Sequence, residues 1–132
     1  MLADHHIALV AMGGLAGAIS RYRIDSRVSD RIKHHIPFGT LTVNLAGSFF
    51  IGLAYELFKH HILGSEFRIF IITGFLGAFT TFSSYSLHTL NLFEINKFKE
   101  GFINLFLNNF LGIFMVFLGT LAGSFIWKLF LR

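Results

Sequence analysis

Uncharged apolar runs alternate with short charged stretches along the chain. Ile7–Ser20 lacks Asp, Glu, Lys and Arg over 14 residues, Ile36–Tyr55 over 20, Ile69–Phe93 over 25 and Gly101–Trp127 over 27. A bilayer core is crossed by about 20 apolar residues of helix, so the last three runs are long enough to span, and the fourth is long enough to tilt. The first run is shorter, and His5, His6, Arg21 and Tyr22 extend it by snorkelling or by sitting at the interface. The pattern predicts four transmembrane helices in one domain of residues 1–132, at about 5–22, 36–57, 68–93 and 101–127. Arg23–His35, with Arg23, Asp25, Arg27, Asp30, Arg31 and Lys33, has spacing that suits an interfacial helix and reads as a solvated connection. Pro37, the only proline, opens the second run, and Glu56–Arg68 reads as a short loop. The start, Met1–His6, lacks the basic n-region of a signal peptide, so the first run is expected to be retained structure.

The third run differs from the others. Thr73–Tyr85 holds Gly74, Gly77, Thr80, Thr81, Ser83 and Ser84 within 13 residues, a density of helix-weakening residues that predicts a broken helix. Irregular backbone at membrane depth persists only inside protein or beside a water-filled path, so a break marks an ion or substrate site. Phe82 and Tyr85, at i and i+3, put two rings on one face, and their partly positive edges suit a small anion. Carbonyls freed around Gly77 and Thr80 suit a hard cation such as Na⁺. Asn44 in the second run is either interhelical glue or a donor to a ligand. Asn104 and Asn108, at i and i+4, form a polar stripe on the fourth helix. Gly13/Gly17 and Gly119/Gly123 are small-xxx-small pairs that permit close helix approach.

Composition places the chain among integral membrane proteins: 54% hydrophobic, 14% charged, mean hydropathy +0.65. The 18 phenylalanines read mostly as lipid-facing replacements for Leu. The net charge of +4 comes from basic residues scattered between apolar runs, which reads as a topology signal and not as a nucleic-acid surface. One side of a four-span protein would carry Lys59, Arg68, Lys128 and Arg132, the other Arg23, Arg27, Arg31, Lys33, Lys97 and Lys99. So even a split predicts insertion in both orientations. The absence of cysteine excludes disulfides and thiol chemistry. His5-His6, His34-His35 and His60-His61 lack the i, i+3 or i+4 spacing of helical metal ligands. No catalytic triad, Walker or dinucleotide pattern occurs in its required context, so no enzyme is expected.

Three ordered stretches resemble the Fluc (CrcB) fluoride channels: Gly13–Tyr22, a glycine-rich helix ending in arginine; Pro37–Phe49, the second-helix signature; and Thr73–Ser86, the third. The resemblance implies an all-α antiparallel, dual-topology homodimer in the bacterial inner membrane, passing fluoride around one structural Na⁺ that is not transported. It implies that the Gly77 and Thr80 carbonyls of both copies hold the Na⁺, that Asn44 and Phe82 line the fluoride path, and that Arg21 stands near the pore entrance. Ser83, Ser84, Tyr85, Asn104 and Asn108 complete the candidate pathway. Tyr85 stands where the family usually has a second phenylalanine and His88 where a glutamate is common, while the fourth helix aligns by either Asn108 or Asn109. The implied partners are fluoride, a second copy and lipid, with no nucleic acid. Two rivals are a small dual-topology multidrug exporter, which needs an acid in the first helix where Ile7–Ser20 has none, and a non-transporting assembly subunit. The latter would leave a broken helix without purpose.

Overall fold

The computed structural model describes residues 2–60 and 64–130, so His61 and Arg132 of the sequence reading lie outside the described residues. The first helix, α1 (Leu2–Arg31), runs without interruption through the polar stretch that reads as a connection. Nothing between Ala18 and Arg31 breaks a helix, the Ser29 hydroxyl donates to Asp25 Oδ1 one turn back at 3.1 Å, and Arg31 sits in the last turn where the helix dipole favours a cation. The true connection is 32–37, where the Ile36 N–H donates to His34 Nδ1 at 3.0 Å.

Pro37 precedes α2 (Phe38–Lys59), which also extends beyond the sequence reading and takes Glu56 out of the expected loop. Glu56 is 7% exposed and accepts hydrogen bonds at Oε1 from Ser124 Oγ (3.0 Å) and His60 Nε2 (3.1 Å), with Lys59 Nζ at 3.6 Å. Buried Phe58 continues the apolar face past Glu56, and the partners make that burial tolerable. Trp127 stacks on His60 with ring centroids 4.4 Å apart, closing this end of the bundle.

The third helical run consists of α3 (Ser65–Arg68), a π-helical stretch Ile69–Leu76, α4 (Gly77–Phe79) and α5 (Phe82–Glu94). The fourth consists of α6 (Phe98–Phe106), a π-helical turn Leu107–Leu111 and α7 (Gly112–Phe130). Among the described residues the fold is all-helical, and four helices, Asp4–Arg31, Phe38–Lys59, Ser65–Glu94 and Phe98–Leu129, are long and apolar enough to cross a membrane. The chain is a multi-pass membrane protein.

Helices cross where glycine lets backbones touch. On α1 a Cβ at Gly17 would strike the Phe75 carbonyl and one at Gly13 the Phe70 carbonyl, while a Cβ added at Gly74 would come within 3.0 Å of the Gly13 Cα. On α7 a Cβ at Gly119 would strike the Phe49 carbonyl of α2. Both glycine pairs read from the sequence therefore lie at helix crossings, where small residues favour van der Waals packing. Phe102, Phe110, Phe117 and Phe125 turn outward, each more than half exposed. Inside, apolar Leu41, Val43, Leu76, Phe79 and Leu92 are buried together with polar Thr40, Thr81, Thr89 and Asn104, and the polar members set up the site.

Candidate functional site

The helical ladder of the third run ends at Thr80, whose N–H still reaches the Leu76 carbonyl at 3.2 Å. Thr80 (φ −91°, ψ 161°) and Thr81 (φ −150°, ψ 114°) are extended, and α5 begins after them. Two side chains take the amide protons that would continue the helix. Asn44 Oδ1 accepts the Thr81 N–H at 2.8 Å, and Thr81 Oγ1 caps α5 by accepting the Ser84 N–H at 3.2 Å. The Gly77 and Thr80 carbonyls are four residues before those two amides, so each loses its usual i+4 donor. Arg21 Nη1 donates to the Thr80 carbonyl at 3.3 Å, and the Gly77 backbone is exposed.

From this interruption a chain of amide bonds runs to the fourth helix. Asn44 Nδ2 donates to the Thr81 carbonyl at 3.1 Å and to Asn108 Oδ1 at 2.9 Å. Asn108 Nδ2 donates to Asn104 Oδ1 at 3.0 Å, and Asn104, fully buried, donates to Thr89 Oγ1 at 2.8 Å. Asn109 Nδ2 donates to the Tyr85 hydroxyl at 2.8 Å. Adjacent residues on an α-helix diverge too far to serve one site easily, but the π-helical turn at Leu107–Leu111 winds more residues into each turn. Asn108 and Asn109 both line the same cavity.

That cavity, of about 290 Å³, is also lined by Asn44, Ser48, Gly77, Thr80, Thr81, Phe82 and Tyr85. The Phe82 and Tyr85 rings meet edge to face, with centroids 5.4 Å apart and planes at 65°. Tyr85 is buried and Phe82 mostly exposed. Of the residues predicted from sequence, Asn44, Gly77, Thr80, Phe82, Tyr85 and Asn108 come together here. Ser83 and Ser84 reach the site through Thr81 Oγ1, at 3.3 and 3.0 Å, Asn104 stands behind Asn108, and Arg21 touches the site through Thr80. Both hydrogens of the Asn44 amide nitrogen have partners, so glue is an observed role of this residue, and donation to an anion requires an exchange.

Thr81, read from the sequence only as one of the helix-weakening residues, and Asn109, read only as the alternative to Asn108, also line the cavity. Thr81 carried a usable signal, a threonine three residues before Ser84 at a helix start. The bond between Asn109 and Tyr85 joins residues 24 positions apart, and no local pattern announces it. His88 approaches Thr40 Oγ1 at 3.4 Å, and Thr40 donates to Asp25 Oδ2 at 3.0 Å. The histidine pairs disperse: His5 meets Glu66 at 3.1 Å, His34 accepts from the Ile36 amide, and His60 joins Glu56 and Trp127.

The Gly77 and Thr80 carbonyls fit Na⁺ by chemistry. Both are hard oxygens released from the helix ladder, and the Thr80 oxygen keeps a second lone pair beside the one Arg21 uses. Bound there, Na⁺ would supply fixed positive charge at the interruption.

A family model described as "CrcB-like protein, Camphor Resistance (CrcB)" matches residues 8–120. A protein of Methanococcus maripaludis called fluoride-specific ion channel FluC is 44% identical over 121 residues, covering 92% of this chain and 98% of that relative. Proteins with the same name from Desulfotalea psychrophila and Dehalococcoides mccartyi are 43% identical over 113 residues (86% of this chain, 88% of the relative) and 39% over 119 (89% and 92%). With the match running from the first helix into the last, the chain belongs to the CrcB family.

Proposed function

We propose that this chain is a fluoride-selective ion channel that lets fluoride leave the cell passively, lowering its cytoplasmic concentration and toxicity. One observation carries the reading: the cavity at the interruption is lined by the side-chain amides of Asn44, Asn108 and Asn109, by hydroxyl side chains and by Phe82 and Tyr85 among aliphatic residues, and no Asp, Glu, Lys or Arg is among its lining residues. Neutral donors replace part of an anion's hydration shell without the hold of a full opposite charge, and conduction needs binding weak enough to leave. The relatives' name, fluoride-specific ion channel, supports the choice of anion. That name describes a channel and not an enzyme. Liposomes containing the protein, with an electrical shunt, should release fluoride far faster than chloride. Equal release of both ions would reject the reading.

The working form in this proposal is an antiparallel pair in the bacterial inner membrane, with the third helix broken at membrane depth and a structural Na⁺ between the copies. The extended Thr80–Thr81 pair supports the break. The near-even division of Lys and Arg supports insertion both ways. Two carbonyls per chain do not close a shell around a hard cation, which favours a second copy supplying its own Gly77 and Thr80. An experimental structure of the assembled protein in sodium should contain two antiparallel copies with one ion within coordination distance of all four carbonyls. Parallel copies would overturn the orientation, and a replaceable ion missing from that point would overturn the sodium site.

A further inference from the structure

We propose that Asn109 is a positioning residue that makes the Tyr85 hydroxyl an anion-binding donor at the partition between two cavities; this rests on the fluoride-channel reading above. A second, open cavity of about 340 Å³ is lined by Phe82, Tyr85, Ser86, Thr89, Leu90, Phe93 and Leu105. Phe82 and Tyr85 line both, so an ion moving between the cavities passes these two rings. The phenol is 6% exposed and held at its oxygen.

The Asn109 amide decides which way that hydroxyl acts. Its Nδ2 donates to the Leu105 carbonyl at 2.8 Å and to the Tyr85 oxygen at 2.8 Å, which uses both amide hydrogens. The phenol therefore accepts from Asn109, and its own proton is left without an acceptor among the hydrogen bonds of the described residues. Accepting one hydrogen bond polarises an O–H and strengthens the bond it donates. A hydroxyl so prepared favours a small, strongly basic anion. Fluoride accepts a short O–H bond of the charge-assisted kind, about twice as strong as a neutral one. Chloride, larger and a weaker acceptor, gains less. Phenylalanine at this position would offer the ring edge alone.

The test separates binding from conduction. Equilibrium binding of fluoride to the detergent-solubilised protein, followed with a fluoride electrode, is measured for the wild type, Tyr85→Phe, Asn109→Leu and the double variant. Each single variant should raise the half-saturating fluoride concentration by about tenfold, the scale of one lost hydrogen bond to an ion. The double variant should be no worse than either single one, because both remove the same donor. Should Asn109→Leu fail to assemble, Asn109→Asp keeps the shape, but its carboxylate accepts the hydrogen bond of the phenol O–H and so withholds that donor from the anion, and the same weakening is expected. Wild-type binding in both single variants overturns the proposal whatever efflux does, and so do additive losses in the double variant. Weakened binding together with a wild type that conducts no fluoride would retire the channel reading and leave the donor assignment standing.

Discussion

Asn44→Asp should reduce fluoride efflux, per assembled protein, to the leak of protein-free liposomes. The native amide works in two directions: Oδ1 accepts the Thr81 N–H, while Nδ2 donates to the Thr81 carbonyl and to Asn108 Oδ1. A passing fluoride gains an N–H only by taking the place of one of those acceptors. Asn108 is the movable one, because it is a side chain and Thr81 is held in the backbone. An ionised Asp retains the bond to the Thr81 N–H, so the interruption keeps one of its ties and assembly is expected. It donates nothing, and it turns a negative charge toward two acceptor oxygens and the anion. At 4 Å and an effective dielectric of 20, two unit charges repel by about 4 kcal/mol, roughly a thousandfold in rate. Normal conduction by an assembled Asn44→Asp protein would leave Asn44 with the packing role alone.

The spans were legible because hydropathy over about 20 residues is a coarse and robust signal. Their ends were not. Charged residues from Arg23 to Arg31 read as solvated connection, yet α1 runs through them, since charge does not stop a helix that has no glycine or proline to end it. Glu56 read as loop for the same reason. Its burial depends on Ser124, 68 positions away, and no local pattern announces such a partner. The site was legible in part. The cluster of glycine, threonine and serine in Thr73–Tyr85 pointed to the stretch where Thr80 and Thr81 are extended, because those residues compete with helix bonds through their own side chains. The family pattern aligns with the fourth helix by either Asn108 or Asn109, and both line the cavity at the π-helical turn Leu107–Leu111. A π-helical turn is set by packing and has no sequence signature that this chain displays.

Gly17→Leu should abolish recovery of assembled protein, whereas Gly77→Ala should assemble and conduct fluoride at close to the wild-type rate. Both glycines belong to the motifs that relate the chain to its family, so sequence alone gives no reason to separate them. Their surroundings do. A Cβ at Gly17 would fall on the Phe75 carbonyl, with the Phe75 Cα at 3.2 Å, and backbone cannot swing aside as a flexible side chain would. The crossing of α1 with the π-helical stretch would have to open, and overpacking of this kind costs about 1–3 kcal/mol even for small additions. A leucine adds three more carbons to the same contact, and in lipid little beyond close packing holds the helices together. At Gly77 a Cβ would meet only the Ile72 carbonyl at 3.7 Å, an ordinary contact, and the backbone there is right-handed helical at φ −61°, ψ −35°. Alanine adopts that conformation without strain, and it leaves the carbonyl, the group proposed to meet sodium, where it is. Good assembly of Gly17→Leu would mean that α1 sits elsewhere in the membrane. Loss of conduction in a well-assembled Gly77→Ala would mean that the bare backbone at Gly77, and not the carbonyl alone, is what the pathway requires.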